Sequence, residues 1–364
     1  MSSRPMWTHG EGHPVSAVAH APDPTGLYRI RDGVYAADLL LAAVTEFDLF
    51  TRLAARGPVT VADACALLGL AARPADVLFT LCAAHGLVDR DVAGGDVVTV
   101  TDLGRCHLTA GSPLDLRAYY GSLSERPAVA ELAHVLRTDE QAAWGSAKPG
   151  ATAQDADWSG RLGDVAFAER ITSAMDARGA YLAPRLAAAV DDVAVGALLD
   201  VGGSSGIYAT ALLDAAPDAR GTVFERAPVD VAARTLIESR GHADRLDVVT
   251  GDMFTDPLPT GYDVHLFSQV LHDWDRPRVE HLLRSSFEAL APGGTLLDHD
   301  THVAADKRGP LPVAEYSVLL MHSTPGKCWS VGELTEIAEG VGFVGIEHRP
   351  TAADRGVLIA RKPA

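Results

Sequence analysis

The sequence predicts an α/β fold for the C-terminal half of the chain, preceded by a smaller helical module. Strand-like and helical segments alternate from about Val195 to the C-terminus, which is typical of a parallel sheet with crossover helices. The first of these strands runs into a glycine-rich turn, and a helix-turn-helix pattern with a hairpin lies nearer the N-terminus. A chain of 364 residues is long enough for about two domains.

Composition and charge exclude several classes of protein. Against 31 Lys and Arg residues stand 48 Asp and Glu residues, and the resulting net charge of −17 repels nucleic acid and anionic membranes. No apolar run reaches the roughly 18 residues that span a bilayer, and the N-terminus lacks a signal-peptide pattern. We therefore expect a cytoplasmic protein. The cysteine spacing fits neither a zinc site nor a disulfide framework, so buried thiols are expected at Cys65, Cys82, Cys106 and Cys328.

Four regions are predicted along the chain. They are a mobile arm rich in Pro, His, Gly and Ser (1–27), a winged-helix-like dimerisation domain (28–115), a helical connector contributing to the substrate pocket (116–190) and the α/β domain (191–364).

The predicted winged-helix outline begins with apolar residues at helical spacing from Tyr28 to Leu53. Two short helices follow, Val59 to Leu68 and Pro74 to Leu87, and then a hairpin that turns at Gly94-Gly95. A recognition helix for DNA should carry basic residues, and this one offers only Arg73 at its start. Packing and dimerisation are therefore predicted for this module.

Seven strand-like runs are predicted in the α/β domain. Only about eight residues join the last two, too few for a helical crossover, so these two runs should form an antiparallel hairpin. The runs are Ala197 to Val201, Gly221 to Phe224, Leu246 to Val249, Tyr262 to Phe267, Thr295 to Leu297, Phe343 to His348 and Val357 to Ala360.

The strongest motif lies where the first of these strands ends and reads Leu-Leu-Asp-Val-Gly-Gly-Ser-Ser-Gly, and a helix is predicted after it from about Ile207 to Ala215. Glycines let a ligand approach the backbone, and the candidates here are Gly202, Gly203 and Gly206. Such a turn alone is equally consistent with a dinucleotide. Asp200 favours another ligand, because its carboxylate can hold a cationic ammonium group and would repel a pyrophosphate.

Polar residues follow the next three strands as well. Glu225 closes the second strand, where a carboxylate can accept hydrogen bonds from two ribose hydroxyls. Asp252 and Met253 follow the third, offering a carboxylate for an exocyclic amine and an apolar wall for a flat ring. Ser268, at the fourth, is grouped with these cofactor contacts. This ordered set predicts a site for S-adenosylmethionine.

Together with Leu271-His272-Asp273-Trp274 and Ala291-Pro292-Gly293-Gly294, these motifs resemble the S-adenosylmethionine-dependent O-methyltransferases of the plant caffeate and acetylserotonin type, including bacterial members of secondary metabolism. The resemblance covers nearly the whole chain from about Tyr28. It implies a class I Rossmann-like methyltransferase domain, a homodimer formed through the N-terminal winged-helix domain and a small-molecule acceptor. In that family, a His in this motif is the general base and an acid after the fifth strand orients it. His272 and Asp300 occupy these places.

One stretch departs from the family pattern. Plant members carry a second acid in a Gly-Lys-Glu-Arg stretch, whereas this chain reads Gly326-Lys327-Cys328-Trp329, with His322 just before it. A branch that methylates carbon in α-keto acids such as phenylpyruvate looks similar here, since its members carry a second His about 50 residues after the first.

That similarity implies that His272, Asp300 and His322 act together as catalytic residues and ligands of one transition-metal ion, Fe, Zn or Ni. His299 and His302 flank Asp300 and are alternative ligands, although strand alternation turns His299 to the opposite face.

The main prediction is therefore metal-assisted methylation of the β-carbon of an α-keto acid, phenylpyruvate-like or branched-chain, with the ion stabilising the enolate. Two alternatives stay open. One is metal-free O-methylation of a phenolic or other hydroxyl with His272 as general base. The other is a regulatory relative that binds the cofactor without methylating.

Candidate residues of the acceptor pocket come from the connector and from the region around His322. Aromatic and thioether side chains suited to an aryl or branched alkyl group are Phe167, Met175, Tyr181, Met321 and Trp329. An acceptor carboxylate would favour an arginine, for which the sequence offers Arg117, Arg170 and Arg178 without choosing among them.

Overall fold

A computed structural model describes residues 21–142 and 158–364 of the chain. Most of the arm predicted over residues 1–27 therefore lies outside the described residues.

The described helices, numbered in chain order, are α1 (Thr25–Asp32), α2 (Ala36–Thr45), α3 (Leu49–Arg56), α4 (Val61–Leu68), α5 (Ala72–Ala84), α6 (Asp102–Leu108), α7 (Arg117–Gly121), α8 (Pro127–Thr138), α9 (Trp158–Arg161), α10 (Val165–Ala189), α11 (Ile207–Ala215), α12 (Val229–Ser239), α13 (Arg276–Ala289), α14 (Leu311–Ser323) and α15 (Val331–Val341). The strands are β1 (Val59–Thr60), β2 (Val88–Asp91), β3 (Val97–Val100), β4 (Ala197–Val201), β5 (Arg220–Glu225), β6 (Leu246–Thr250), β7 (Val264–Ser268), β8 (Thr295–Asp300), β9 (Val344–Pro350) and β10 (Gly356–Arg361).

The single helix predicted from Tyr28 to Leu53 is wrong, because the chain breaks into α1, α2 and α3. The second break falls at Asp48, whose φ of 44° is left-handed and ends a helical path. The apolar spacing misled the prediction because it continues across the breaks, with Leu39 and Leu53 buried in the same core.

The start of α4 also differs from the prediction. Residues Val59–Thr60 pair with β3 in an antiparallel sheet of order β1-β3-β2. The Thr60 side chain then accepts a hydrogen bond from the backbone N–H of Asp63, so the helix begins at Val61. The helix-turn-helix and hairpin otherwise follow in the predicted order.

Helices α4 and α5 meet at a bend of 110°. Within the described ranges no single helix combines the length and apolar character needed to cross a membrane; this bent pair meets the criterion by length and composition only. Cys82 of α5 and Cys328 are buried as predicted, but Cys65 is half-buried and Cys106 is exposed.

A seven-stranded sheet of order β6-β5-β4-β7-β8-β10-β9 forms the C-terminal half. Strands β4 to β8 are parallel, and β10 pairs antiparallel with both β8 and β9, which confirms the parallel sheet and the terminal hairpin. From β4 the chain continues to β5 and β6 on one side of the sheet, and it then crosses to β7 and β8 on the other side. Ligands of open α/β sheets bind at such a switch point, outside the carboxyl ends of the strands.

The N-terminal helices pack onto the C-terminal half through α14. Ala314, Val318 and Met321 of that helix belong to the same apolar core as α2, α5 and α8. The Arg73 guanidinium of α5 donates to the carbonyl oxygens of Met321, at 3.2 Å, and Thr324, at 3.1 Å. These contacts fix the end of α14 and the loop after it beside the carboxyl edge of the sheet.

Candidate active site

A cavity opens at the carboxyl ends of β4, β5, β6 and β7. Six of the eight predicted cofactor residues line it: Gly202, Gly203, Glu225, Asp252, Met253 and Ser268. They come from four separate strands and meet because parallel strands carry their carboxyl ends to one edge of the sheet. Gly206 begins α11, which has the predicted bounds, with a φ of 70° that favours glycine.

Asp200 lies behind the glycine turn and is fully buried. A Cβ on Gly203 would come within 2.4 Å of its carboxyl group, so only glycine lets the turn pack here. Neither carboxyl oxygen has a hydrogen-bond partner among the residues described. Burial, reinforced by the charge of Glu225, raises the pKa of Asp200 to about 8.

Glu225 is held by the backbone at the end of β5. Its carboxylate accepts hydrogen bonds from the N–H groups of Ser204, at 3.0 Å, and Arg226, at 2.8 Å. Ser204 has a φ of 51°, a conformation that favours the glycine often found at this position. Burial raises the pKa of Glu225 to about 7 despite the two hydrogen bonds. A ligand that brings hydroxyl donors or positive charge would therefore be favoured here.

The ends of β6 and β7 complete this part of the cavity. Asp252 accepts a hydrogen bond from the Phe254 N–H at 2.9 Å, which orients its carboxylate. At the end of β7, the Ser268 hydroxyl and both amide atoms of Gln269 are buried with no partner in the described part of the chain. Sequence reasoning missed Gln269, whose φ of 58° turns it into the lining.

The buried polar atoms without hydrogen-bond partners indicate what kind of ligand the cavity would hold, and they can be compared with S-adenosylmethionine. The glycine turn leaves room at the backbone, and acids are placed at three successive strand ends, where burial raises the pKa values of Asp200 and Glu225. A cationic, hydroxyl-rich and amine-bearing ligand would meet all of these groups. The residues present therefore fit the predicted cofactor.

His272 and Asp300 form a hydrogen-bonded pair at the edge of the cavity. His272 lies in a short 3₁₀ helix after β7, and its Nδ1–H donates to Asp300 Oδ1 over 2.6 Å. The same oxygen accepts the Thr301 N–H at 2.7 Å. With Nδ1 engaged, Nε2 carries the lone pair of the neutral ring. Both side chains are almost fully buried, and His272 lines the cavity.

The charges around His272 favour its protonated form. Burial opposes protonation, but the carboxylates of Asp300 and Asp273 outweigh it and raise the pKa of His272. Asp273 Oδ1 lies 3.6 Å from His272 Nε2, and burial raises the pKa of Asp273 to about 6. The imidazole is therefore a base strengthened by a paired carboxylate, as general-base catalysis requires.

His322 does not join this pair, so the predicted metal-ligand set is wrong. Its Nε2 lies 3.1 Å from Glu131 Oε2, and its ring stacks on Tyr35 at 4.3 Å between centroids. It thus faces the N-terminal helices. No group of three or more metal-ligating side chains occurs in the ranges 21–142 and 158–364.

The alternative ligands also point elsewhere. His302 Nε2 lies 3.0 Å from Asp298 Oδ2, and His299 Nε2 lies 3.1 Å from the Thr351 hydroxyl. Strand β8 ends at Asp300, so strand alternation does not reach His302.

Only Met175 of the five predicted wall residues lines the cavity. Phe167 is buried under the Arg161 guanidinium, Tyr181 contacts Asp23, Met321 lies in the N-terminal core, and the Trp329 indole N–H donates to the Leu271 carbonyl. The structure adds lining residues that the sequence did not single out, among them Thr172, Tyr208, Tyr316 and Leu319, and it adds Trp274 of the His-Asp-Trp motif to the wall.

The structure also distinguishes the three candidate arginines. Arg178 lines the cavity. Arg117 pairs with Asp48 and Asp115 near α7, and Arg170 is exposed with its guanidinium over the Phe167 ring.

Comparison with known proteins identifies relatives over most of the chain. Residues 131–344 match the model of an O-methyltransferase domain. The chain is 31% identical over 322 residues to 3-hydroxy-5-methyl-1-naphthoate 3-O-methyltransferase of Streptomyces sahachiroi, covering 88% of this chain and 89% of that one. It is 28% identical to acetylserotonin O-methyltransferase of Bos taurus, covering 89% and 93%.

A solved structure is also similar throughout. The O-methyltransferase family 2 protein of Planctomyces limnophilus, in complex with apigenin, superposes with a TM-score of 0.80 at 30% identity, covering 94% of this chain and 96% of that one. The matched domain and all three proteins are named for O-methylation. The predicted C-methylation of an α-keto acid is therefore wrong, and these comparisons show no similarity to the C-methylating branch.

Proposed function

This chain belongs to the O-methyltransferase family and is an S-adenosylmethionine-dependent methyltransferase, and we propose that it methylates a hydroxyl oxygen of an aromatic small molecule. The observation that carries this proposal is the His272–Asp300 pair at the cavity wall. This is the alternative that the sequence left open, with His272 as a metal-free general base.

The chain's own residues perform the proton chemistry. His272 Nε2 takes the proton of the acceptor hydroxyl, while Nδ1–H stays bonded to Asp300, which stabilises the imidazolium that forms. When bound, the cofactor supplies an electrophilic methyl group on a sulfonium ion. The deprotonated oxygen is the nucleophile for that methyl group, and the proton remains on His272 until it passes to solvent.

The cofactor contacts are proposed from the strand ends. Gly202, Gly203 and Gly206 shape the turn that the cofactor approaches, and Asp200 supplies negative charge from behind it. Glu225 accepts from the ribose hydroxyls. Asp252 and Met253 are assigned to the adenine ring, and Ser268 is a further cofactor contact.

An aromatic acceptor is supported by the lining and by the relatives. Met175, Trp274, Tyr316 and Leu319 give the cavity an apolar and aromatic wall suited to a flat ring. One relative is named for a naphthoate, and a similar structure binds apigenin. We infer the same broad class, a hydroxylated aromatic compound, for this chain.

The proposal includes a homodimer formed through the N-terminal domain, residues 28–115, with residues 116–190 as connector and 191–364 as catalytic domain. Large apolar side chains are exposed around this region: Leu27, Ile30, Val34, Leu103, Leu114 and Tyr119. Light scattering would test the dimer, because Ile30→Asp should shift the protein toward the monomer if this surface is an interface.

The function is tested by methyl transfer to a panel of hydroxynaphthalenes and flavones. We expect turnover by the wild type and a loss of roughly 10²–10⁴-fold in kcat/KM for His272→Gln. His322→Asn is the matched control, because this histidine contacts Glu131 outside the cavity. Binding of S-adenosylhomocysteine without turnover of any acceptor would contradict the proposal.

A further inference from the structure

Arg178 places a positive charge in the cavity, and within the described residues its side chain has no hydrogen-bond or ion-pair partner. It lies on α10 and lines the cavity, and its Nε atom is buried with no hydrogen-bond partner in the described residues. The ion pairs found in the described ranges do not include it, although most of their other arginines are paired. A buried guanidinium N–H group without a hydrogen-bond acceptor favours the binding of an anion at that place.

The carboxylates that interact electrostatically with Arg178 already have other hydrogen-bond partners. Its charge acts on Tyr316, Tyr208, Asp300 and Asp32. Asp300 is bonded to His272 and to the Thr301 N–H, and Asp32 is bonded to Arg355 at 2.7 Å. An anion that pairs with the Arg178 guanidinium must therefore come from outside the described residues, as a bound ligand would.

Two further unsatisfied groups lie in the same lining. The Tyr208 hydroxyl and the Thr172 hydroxyl are both buried without a partner in the described part of the molecule. Arg178 and Tyr208 interact electrostatically, and burial raises the pKa of Tyr208 to about 12, so this hydroxyl remains a donor at neutral pH. A guanidinium and hydroxyl donors together are suited to a carboxylate.

The position of Arg178 is fixed by its neighbours on α10. Gly179 lies against the start of α11, where a Cβ would come within 2.3 Å of Ile207 Cγ2. The Tyr28 hydroxyl donates to the Arg178 carbonyl oxygen at 3.0 Å. Met175, one helical turn before Arg178, lines the same cavity, so an apolar surface and a charge face the ligand side by side.

We propose that the acceptor is a hydroxylated aromatic carboxylic acid and that Arg178, assisted by the Tyr208 hydroxyl, binds its carboxylate. This inference rests on the proposed function and specifies its substrate. Arg178 also lies within electrostatic range of His272, so carboxylate binding orients the hydroxyl end of the ring toward the base. The lining also includes the acids Glu225, Asp252 and Asp273, and the charge of Arg178 offsets part of their repulsion of an acid.

The experiment compares a hydroxynaphthoic acid with its carboxamide, which has nearly the same shape but no charge. Calorimetry on protein loaded with S-adenosylhomocysteine gives affinities without turnover, and methyl-transfer assays give kcat/KM. Arg178→Gln should weaken the acid by at least about 30-fold, because losing one partner of a buried charge pair costs that much or more. The amide should change by less than about threefold.

Two more variants separate anchoring from folding. Tyr208→Phe keeps the ring and removes one donor, so it should weaken the acid selectively and by less than Arg178→Gln. Arg170→Gln removes an exposed arginine two turns earlier on α10 and should change neither probe. An unchanged circular dichroism spectrum and thermal unfolding midpoint in each variant show that the protein is folded.

Three results would overturn the inference. These are a wild type without preference for the acid, an equal loss for acid and amide in Arg178→Gln, and a loss of S-adenosylhomocysteine affinity that assigns Arg178 to the cofactor. Failure of the proposed function is distinct, because the wild type would then bind the acid selectively in calorimetry and methylate neither probe.

Discussion

Replacing Asp300 with Asn tests how the His272 base is activated. Asp300 Oδ1 accepts both the His272 Nδ1–H, at 2.6 Å, and the Thr301 N–H, at 2.7 Å. Because the Thr301 N–H needs an acceptor at that position, the Asn carbonyl oxygen should occupy it and keep the same His272 tautomer. The variant therefore removes the negative charge and leaves the hydrogen bond in place.

The expected loss follows from that difference. A hydrogen bond to a charged group contributes about 1.5–3 kcal/mol and a neutral one about 0.5–1.5 kcal/mol. The difference of about 1–2 kcal/mol corresponds to roughly a 5- to 30-fold fall in kcat/KM. This is well below the roughly 10²–10⁴-fold loss expected when His272 itself is replaced.

The pH profile gives a second and independent readout. Although burial opposes protonation, Asp300 and Asp273 raise the pKa of His272, and the base acts only when it is unprotonated. Activity therefore falls as the pH drops through that pKa. Removing the Asp300 charge lowers the pKa of His272, so the acidic limb of kcat/KM should move to lower pH. Initial rates with an isotopically labelled methyl donor measure both effects.

Asp298→Asn is the matched control for this experiment. Asp298 lies on the same face of β8 two residues earlier, and it contacts His302. It should move the acidic limb much less than Asp300→Asn, because Asp298 acts on His272 only through its charge and its hydrogen bond goes to His302. A loss of a thousandfold or more in Asp300→Asn, or an acidic limb that does not move, would refute the reasoning, because the tautomer or the charge would then act differently from the structure.

Three further predictions concern residues around the cavity. His322→Asn should keep kcat/KM within about threefold. It should lower the free energy of unfolding by about 1–3 kcal/mol, measured by denaturant titration, because this buried side chain loses its hydrogen bond to Glu131. A fall in kcat/KM as large as that of His272→Gln would instead show that His322 takes part in catalysis. Gly203→Ala should weaken S-adenosylhomocysteine by more than about tenfold in calorimetry, since its Cβ would lie 2.4 Å from the Asp200 carboxyl, whereas Gly340→Ala has no atom within 4 Å and should have no effect. Burial raises the pKa of Asp200 to about 8 and that of Glu225 to about 7, so each of these groups contributes stability to the cofactor-free protein that is lost as pH rises from about 4 to 8; in urea titrations, the stability of Asp200→Asn relative to the wild type should therefore rise over this pH range.

Much of the cofactor site was predictable because it depends on local pattern and on one rule of topology. A buried strand, a glycine turn and a helix are visible in consecutive residues, and β4 and α11 have the predicted bounds. Parallel strands then bring the residues after each strand to one edge, so Glu225 and Asp252 meet although 27 residues separate them. The terminal hairpin followed similarly from a connection too short for a helix.

The acceptor side was less predictable because it is built from helices whose orientation the sequence leaves open. Nearly all of α14 is buried, so its apolar pattern has no solvent-facing side that would show which way His322 points. The 50-residue spacing between His272 and His322 likewise does not determine which way the His322 side chain points. The orientation of the arginines in the connector was open for the same reason. In the structure, the packing of Gly179 on Ile207 helps to place Arg178 in the cavity.

The sequence by itself predicted the α/β class and the strand ends where the proposed cofactor residues lie, and the family resemblance pointed to His272 with Asp300 as a base and its partner. Only the tertiary structure decided that His322 pairs with Glu131, which excludes the metal-ligand set, and that Arg178 lines the cavity with its Nε atom unpartnered among the described residues. The physical reason is that strand ends are aligned by backbone hydrogen bonds, whereas the direction of a helical side chain depends on how whole helices pack.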